Sequence, residues 1–256
     1  SQKMNRILIT AIGGDIGQCI SMCLRDIKGV SLYGTDMHSK HGGHLHVDKF
    51  FIVPEAGSDN YLKEIENIVE SNKIDAVLPV NEHELKVFAN TNTNFELIQP
   101  NKKIINIGLD KLKTNQTLST LDINVPWTVD SDKGSPINYP CIMKPRFSSG
   151  SRSIFKINSK EEATLLSKKY SNCVFQELLD PYEKEVTCVL YKKNDGSLAT
   201  IQLERLLVGG FTGWARVIND NDVQQLLEKI GNRLDLKGSI NIQLRITKNG
   251  PMIFEI

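Results

Sequence analysis

The residues best able to do chemistry lie in one run, Cys141-Ile142-Met143-Lys144-Pro145-Arg146-Phe147-Ser148-Ser149-Gly150-Ser151-Arg152-Ser153-Ile154-Phe155-Lys156-Ile157. Apolar, β-prone segments at 141–143 and 154–157 flank a short polar loop, so the run is expected to form a hairpin. Ser148, Ser149, Gly150 and Ser151 give the loop little bulk, and its backbone N–H groups could close over a phosphate-sized anion. Lys144, at the end of the first strand, aims a compact ammonium at the same anion. The same residue types also make plain solvated turns, and the run alone does not separate the two readings.

A second set stands at the end of the sequence. Residues 239–246 and 252–256 read as strands joined through Lys248-Asn249-Gly250. With Gly250 left-handed in a three-residue loop, Thr247 is expected opposite Pro251 and Gln243 opposite Glu255. Opposed side chains share a face with β-carbons about 5 Å apart. The amide oxygen of Gln243 and the carboxylate of Glu255 could then hold magnesium, which takes oxygen ligands and shares them with phosphates and water. Asn241 points the same way. A polar outer face of an antiparallel sheet carries the same pattern.

The elements that must position these groups follow from periodicity and turn chemistry. Residues 6–10, 30–35, 50–53, 75–79 and 103–107 read as strands, separated by helices after Gly17, over 58–69 with Ser58 as cap, and over 82–89. This alternation predicts a parallel sheet covered on both faces. A helix over 111–121 is expected to be capped by Asp110. Past Asn124-Val125-Pro126 and Gly134-Ser135-Pro136 the character changes and strands dominate. Ser159 with Glu162 forms a capping box for a helix. Strands are expected at 173–177, 184–191 and 198–204, the last two joined at Asn194-Asp195-Gly196. Residues 208–213 read as a flexible glycine-bearing segment, and 222–234 as a helix.

Two other clusters carry competing chemistry. Gly13, Gly14 and Gly17 follow the first strand, and Asp36 ends the second, which partly matches a dinucleotide fingerprint, but Ile12 replaces its first glycine. Close packing of helix on sheet explains these glycines without a ligand and is the favoured reading. His38, His41, His44 and His46 crowd one loop, so a metal site is conceivable, but no cysteine completes a zinc spacing; a solvated loop is the favoured account.

At 256 residues and 40% apolar content the chain can bury two or three ordinary cores. Lys plus Arg numbers 31 against 30 for Asp plus Glu, a net charge of +1, which lacks the basic footprint of a nucleic-acid binder. No apolar run approaches the roughly 18 to 20 residues that span a bilayer. The expectation is therefore a cytoplasmic protein without nucleic-acid or membrane partners. Five cysteines, none spaced Cys-x-x-Cys, read as reduced and mostly buried thiols.

Taken jointly, Lys144 with its serine/glycine loop, Phe175-Gln176-Glu177-Leu178-Leu179 followed by Lys184-Glu185-Val186, and Asn241-Ile242-Gln243 with Ile253-Phe254-Glu255 resemble the ATP-grasp superfamily. The likeness is greatest to its carbamoyl phosphate synthase large-subunit branch and the carboxylate–amine ligases. The resemblance implies an α/β chain in three parts: a Rossmann-like domain over 1–110, a small ATP-grasp lobe over 111–183 with the phosphate loop, and a C-terminal lobe over 184–256. It implies ATP and Mg2+ as cofactors and small-molecule carboxylate and amine substrates; homo-oligomerisation is left open.

By the same resemblance, Lys111 and Lys144 contact phosphates and Ser148, Ser149, Gly150 and Ser151 form the lid. Glu177, Leu178 and Leu179 read adenine, Glu185 accepts from the ribose hydroxyls, Gln243 and Glu255 ligate magnesium, and Arg205 stabilises the transferred phosphoryl group. The sequence departs from the family pattern where Ser148 and Ser153 replace expected glycines. The pattern's Glu-x-Asn-x-Arg is cut one residue after Glu255, so the last lobe is expected to be incomplete. Gln243, where many relatives carry a carboxylate, points to the carbamoyl phosphate synthase branch. Bicarbonate phosphorylation, nucleotide binding without catalysis and, from another class, a nicotinamide-dependent oxidoreductase using Gly14, Gly17 and Asp36 are the alternatives.

Overall fold

The computed structural model describes residues 5–147, 154–181 and 184–256. The chain divides into two compact units, Ser1–Lys102 and Lys103–Ile256.

In the first unit, strands β1 (Arg6–Ile9), β2 (Ser31–Asp36), β3 (Lys49–Ile52), β4 (Ala76–Leu78) and β5 (Glu96–Leu97) form a sheet in the order β3-β2-β1-β4-β5. Every pairing is parallel. Helices α1 (Asp15–Arg25), α2 (Tyr61–Asn72) and α3 (Glu82–Ala89) make the crossovers. Two apolar clusters follow: Ile7, Ile9, Ile12 and Leu32 in one, and Leu8, Tyr33, Ile65, Val77 and Phe88 in the other. Alternate residues of β1 thus face opposite layers, as expected for a strand buried on both sides.

The glycine turn after β1 serves packing. A β-carbon on Gly17 would lie 2.7 Å from the Ala11 carbonyl oxygen, and one on Gly43 would lie 2.1 Å from that of Ile12. The Asp36 carboxylate accepts from the backbone N–H groups of Gly13 and Met37, so it is engaged in fixing this turn. Asn81 caps α3 by accepting from Glu84 N. The expected cap of α2 differs: Asn60, not Ser58, occupies the position, and no side chain caps it.

The second unit begins with a correction. Residues 103–107, expected as a strand, lie in helix α4 (Lys102–Gly108). Ile104, Ile105 and Ile107 are buried there, and a short apolar run does not itself distinguish a buried strand from a buried helix. Helix α5 (Lys111–Thr120) follows, with the Asp110 carboxylate accepting from the N–H groups of Leu112 and Lys113 as its cap.

A four-stranded sheet, β6-β9-β7-β8, then forms from β6 (Thr128–Asp130), β7 (Cys141–Pro145), β8 (Phe155–Ile157) and β9 (Cys173–Glu177). Cys141, Met143 and Phe175 on one face pack with Ala163 of helix α6 (Lys160–Lys169). Ser159 caps α6 by accepting from Glu162 N, and the Glu162 carboxylate in turn accepts from Asn158 N rather than from Ser159 N.

A five-stranded antiparallel sheet, β12-β11-β10-β13-β14, completes the unit. Its strands are β10 (Glu185–Lys192), β11 (Leu198–Val208), β12 (Phe211–Val217), β13 (Gly238–Thr247) and β14 (Gly250–Glu255). Val186, Cys188, Leu190, Ile242 and Leu244 pack with Val223, Leu227 and Ile230 of helix α7 (Asn221–Arg233). Residues 208–213, expected to be a flexible segment, instead end β11 and begin β12 across a Gly209-Gly210 turn. Both glycines take positive φ, the conformation a tight hairpin turn demands.

Candidate active site

The site is built where the polar faces of the two sheets of the second unit meet. Lys144 lies on β7 opposite the face that carries Cys141 and Met143, by the two-residue period of a strand. Its neighbours in the ladder are Val174 across and Ile142 two residues back, both buried, and Lys144 itself is only 5% exposed. Burial, with Lys111 and Arg245 nearby, draws its pKa from 10.5 down to about 8, against the pull of Glu255 and Glu185. Its Nζ lies 5.2 Å from the centroid of the Phe254 ring.

From the other sheet, β10, β11 and β13 present one rung of charge. Glu185 stands directly opposite Arg205 on one side and Arg245 on the other. Its Oε1 accepts from Arg205 Nε at 2.9 Å and from Arg205 Nη2; its Oε2 accepts from Arg245 Nη2 at 3.2 Å. The Arg245 guanidinium also lies over Phe254, 4.6 Å from the ring centroid. Two cations and one carboxylate leave the rung with an excess positive charge.

Gln243 sits two residues before Arg245 on the same face and stands opposite Glu255, as expected. The route to that pairing differs from the expectation. Thr247 pairs with Gly250 and Ile246 with Pro251, so the loop has two residues, and a register shift between Gln243 and Leu244 restores the pair. A bulge consumes one residue, and that offsets the shorter loop. Asn241 shares this face and accepts from the Thr187 hydroxyl at 2.7 Å.

Lys111 enters from the first turn of α5. Its backbone N–H donates to the Arg146 carbonyl, and its Nζ lies 3.7 Å from Glu255 Oε1. Asp110 both caps the helix and accepts from Arg146 Nε and Nη2 at 2.8 Å. Burial raises the Asp110 carboxyl, but these hydrogen bonds outweigh it and hold the pKa below 3.8.

The structure thus gathers Lys111, Lys144, Glu185, Arg205, Gln243 and Glu255 on facing surfaces of one unit. Glu177, Leu178 and Leu179 leave the end of β9 on the same sheet as Lys144, three ladder positions away. Glu177 N donates to the Trp127 carbonyl, and its carboxylate accepts from Trp127 N at 3.3 Å; Leu179 is buried. The lid residues Ser148, Ser149, Gly150 and Ser151 lie outside the described residues. Two members were missed from sequence, Arg245 and Phe254. The signal for Arg245 was its two-residue spacing from Gln243 on a strand; for Phe254 nothing but a ring beside cations distinguishes it.

An oxygen-donor pair at Gln243 and Glu255 suits a hard divalent cation, and paired ammonium groups suit a polyphosphate. The histidine loop is a poorer metal site. Asp36, His38 and His41 do converge within 4.8 Å. However, His38 Nδ1 accepts from Lys40 N and His41 Nδ1 from Gly43 N, so each neutral ring presents its Nε2 as a donor rather than a ligand.

Residues 109–256 match the family described as ATP-grasp domain. The chain belongs to the ATP-grasp family. Residues 7–100 match a second family, the PylC-like, N-terminal domain. Among solved structures, the ATP-grasp chain is similar to N5-carboxyaminoimidazole synthetase from Staphylococcus aureus complexed with ADP, at 17% identity and a TM-score of 0.79, covering 99% of this chain and 72% of that one. It is also similar to L-amino acid ligase from Bacillus licheniformis, at 14% identity and 0.78, covering 100% and 67%. The biotin carboxylase domain of Hydrogenobacter thermophilus 2-oxoglutarate carboxylase, in complex with MgADP and bicarbonate, matches at 12% identity and 0.78, covering 99% and 64%. These likenesses show a shared ATP-grasp fold. No curated protein sequence matches. Among the described residues no helix is long and apolar enough to cross a membrane.

Proposed function

We propose that this ATP-grasp protein is a ligase that uses ATP and magnesium to activate a small carboxylate as an acyl phosphate, which an amine then opens. The observation that carries this reading is Lys144: a nearly buried ammonium beside Lys111, with no carboxylate within ion-pair distance among the described residues. A buried charge without a counter-ion is costly, and a bound polyphosphate supplies one.

In this reading Lys111 and Lys144 hold the phosphates, and Ser148, Ser149, Gly150 and Ser151 cover them. Glu177, Leu178 and Leu179 line the adenine end. Glu185 receives the ribose; its two oxygens are each engaged by an arginine, yet a carboxylate oxygen has a second lone pair to offer. Arg205 steadies the transferred phosphoryl group. Gln243 and Glu255 would hold magnesium, which when bound neutralises phosphate charge and orients the phosphoryl group for in-line displacement.

The chemistry balances without a redox partner. A carboxylate oxygen forms a bond to the γ-phosphorus as the bond to the β-phosphate oxygen breaks and ADP leaves. The amine nitrogen then attacks the acyl carbon, inorganic phosphate departs, and the amine loses a proton. The protein's contribution is position and charge, the main requirements of phosphoryl transfer. Bicarbonate is the alternative first acceptor, motivated by Gln243 and its resemblance to the carbamoyl phosphate synthase branch.

Calorimetry with ATP and magnesium tests the reading. Wild-type protein is expected to bind, and Lys144→Ala to lose at least tenfold in affinity; equal binding by the variant sinks the assignment. ADP formation that depends on added carboxylate and amine then tests the ligase step.

A further inference from the structure

The Arg205–Glu185–Arg245 rung contains one guanidinium that no role above uses. Arg245 is 6% exposed and sits between two groups of the site: its Nη2 donates to Glu185 Oε2, and its face covers the Phe254 ring at 4.6 Å. The same ring lies 5.2 Å from the Lys144 ammonium. Arg245 therefore touches both the carboxylate that Arg205 engages and the aromatic surface against which Lys144 rests. Strand β13 also fixes its distance to Gln243, two residues earlier on the same face.

We propose that Arg245 is a positioning residue of the nucleotide site, acting through Glu185 and Phe254 to hold Lys144 and Arg205 where they meet the phosphates. The geometry explains why an arginine serves at this place. A planar guanidinium can stack on an aromatic face and donate in its own plane at the same time, which an ammonium cannot do. Removing it frees one Glu185 oxygen inside the site and unseats one side of the Phe254 ring. Both changes act on Lys144, one by charge and one by packing. Arg245 itself is too enclosed to be a general surface for anions, so its effect is exerted on neighbours rather than on the bound molecule.

This inference rests on the ATP-binding reading, and the test separates the two. Calorimetry compares ATP with magnesium, ADP with magnesium, and adenosine, on wild type, Arg245→Gln, Arg245→Lys and Phe254→Leu. Arg245→Gln is expected to weaken ATP and ADP at least tenfold and adenosine by less than threefold, because adenosine meets only Glu185, through its ribose, whereas the phosphates also meet Lys144 and Arg205, the groups that Arg245 holds in place. Arg245→Lys should recover part of the loss, since charge returns without the stacking plane. Phe254→Leu should show the same dependence on phosphate in a protein whose charges are all intact, and it stands in for the glutamine variant if that fails to fold. Equal losses for adenosine and ATP mean a merely structural role and overturn the proposal, as does unchanged binding in both Arg245→Gln and Phe254→Leu. Failure of wild-type protein to bind ATP removes the ATP reading and the inference together, a result readily told apart from binding that ignores the variants.

Discussion

Lys111 Nζ stands 3.7 Å from Glu255 Oε1, joining the first turn of α5 to the last residue of β14 across the second unit. Asp110 sets the start of the helix, and the bulge after Gln243 sets which face of β14 carries Glu255. The pair brings the amine proposed to meet phosphate and the carboxylate proposed to hold magnesium to the same point.

Lys144 makes the stability of the protein depend on pH in a defined direction. Its folded pKa of about 8 lies below the ordinary 10.5, so between those values the unfolded chain binds more protons and stability rises with pH. Below pH 8 the whole cost is present. Lys144→Met is therefore expected to be more stable than wild type at pH 7 by roughly 2 to 4 kcal/mol. The advantage should fade as pH approaches 10.5, which urea unfolding across that range reads directly. ATP binding at pH 8.5 should take up a proton, seen as a buffer-dependent binding enthalpy, because phosphates favour the charged amine.

Asp110 is expected to matter twice, as cap and as partner of Arg146. Asp110→Ala should cost about 2 kcal/mol, of which a lost cap contributes about 1 kcal/mol. Asp110→Asn keeps an acceptor at the cap and should cost less. Because the folded pKa is depressed, this stabilisation is present above 3.8 and is lost as pH falls further. Thermal melts of the three proteins at pH 7 and pH 3 test the order; equal melting of wild type and Asp110→Ala at pH 7 contradicts it.

In the first unit, Glu84 is 5% exposed and accepts from the hydroxyls of Thr10 at 2.6 Å and Tyr61 at 2.8 Å. Burial raises its pKa above 4.5 despite those bonds. A raised carboxyl favours the fold below its unfolded pKa and loses that contribution as pH climbs. Glu84→Gln, neutral at all pH, should therefore stabilise the unit by about 1 kcal/mol at pH 7. The gain should disappear below pH 4.5, and hydrogen exchange of β1 and β4 amides would follow it.

Much of this protein was legible from local pattern. The alternation of strand and helix through residue 89, the caps at Asp110 and Ser159, and the strand at Cys173–Glu177 follow from periodicity and from short polar side chains at helix starts. Lys144 at the end of a strand needed only the two-residue period, whereas Gln243 reaches its expected place opposite Glu255 through a two-residue loop and a bulge instead of the expected three-residue loop. Residues 103–107 were misread because three isoleucines in five residues satisfy a strand and one buried turn of helix equally well.

What the sequence determined alone was therefore the kind of most elements and the alternation of faces along each strand, since both depend on neighbours a few residues away. Tertiary structure decided the rest. The bulge that corrected the β13–β14 register, the Arg205–Glu185–Arg245 rung and the Phe254 ring beneath two cations arise only when strands from distant parts of the chain lie side by side. The low pKa of Lys144 belongs to the same class: desolvation and neighbouring charge are properties of the packed interior and have no counterpart along the chain.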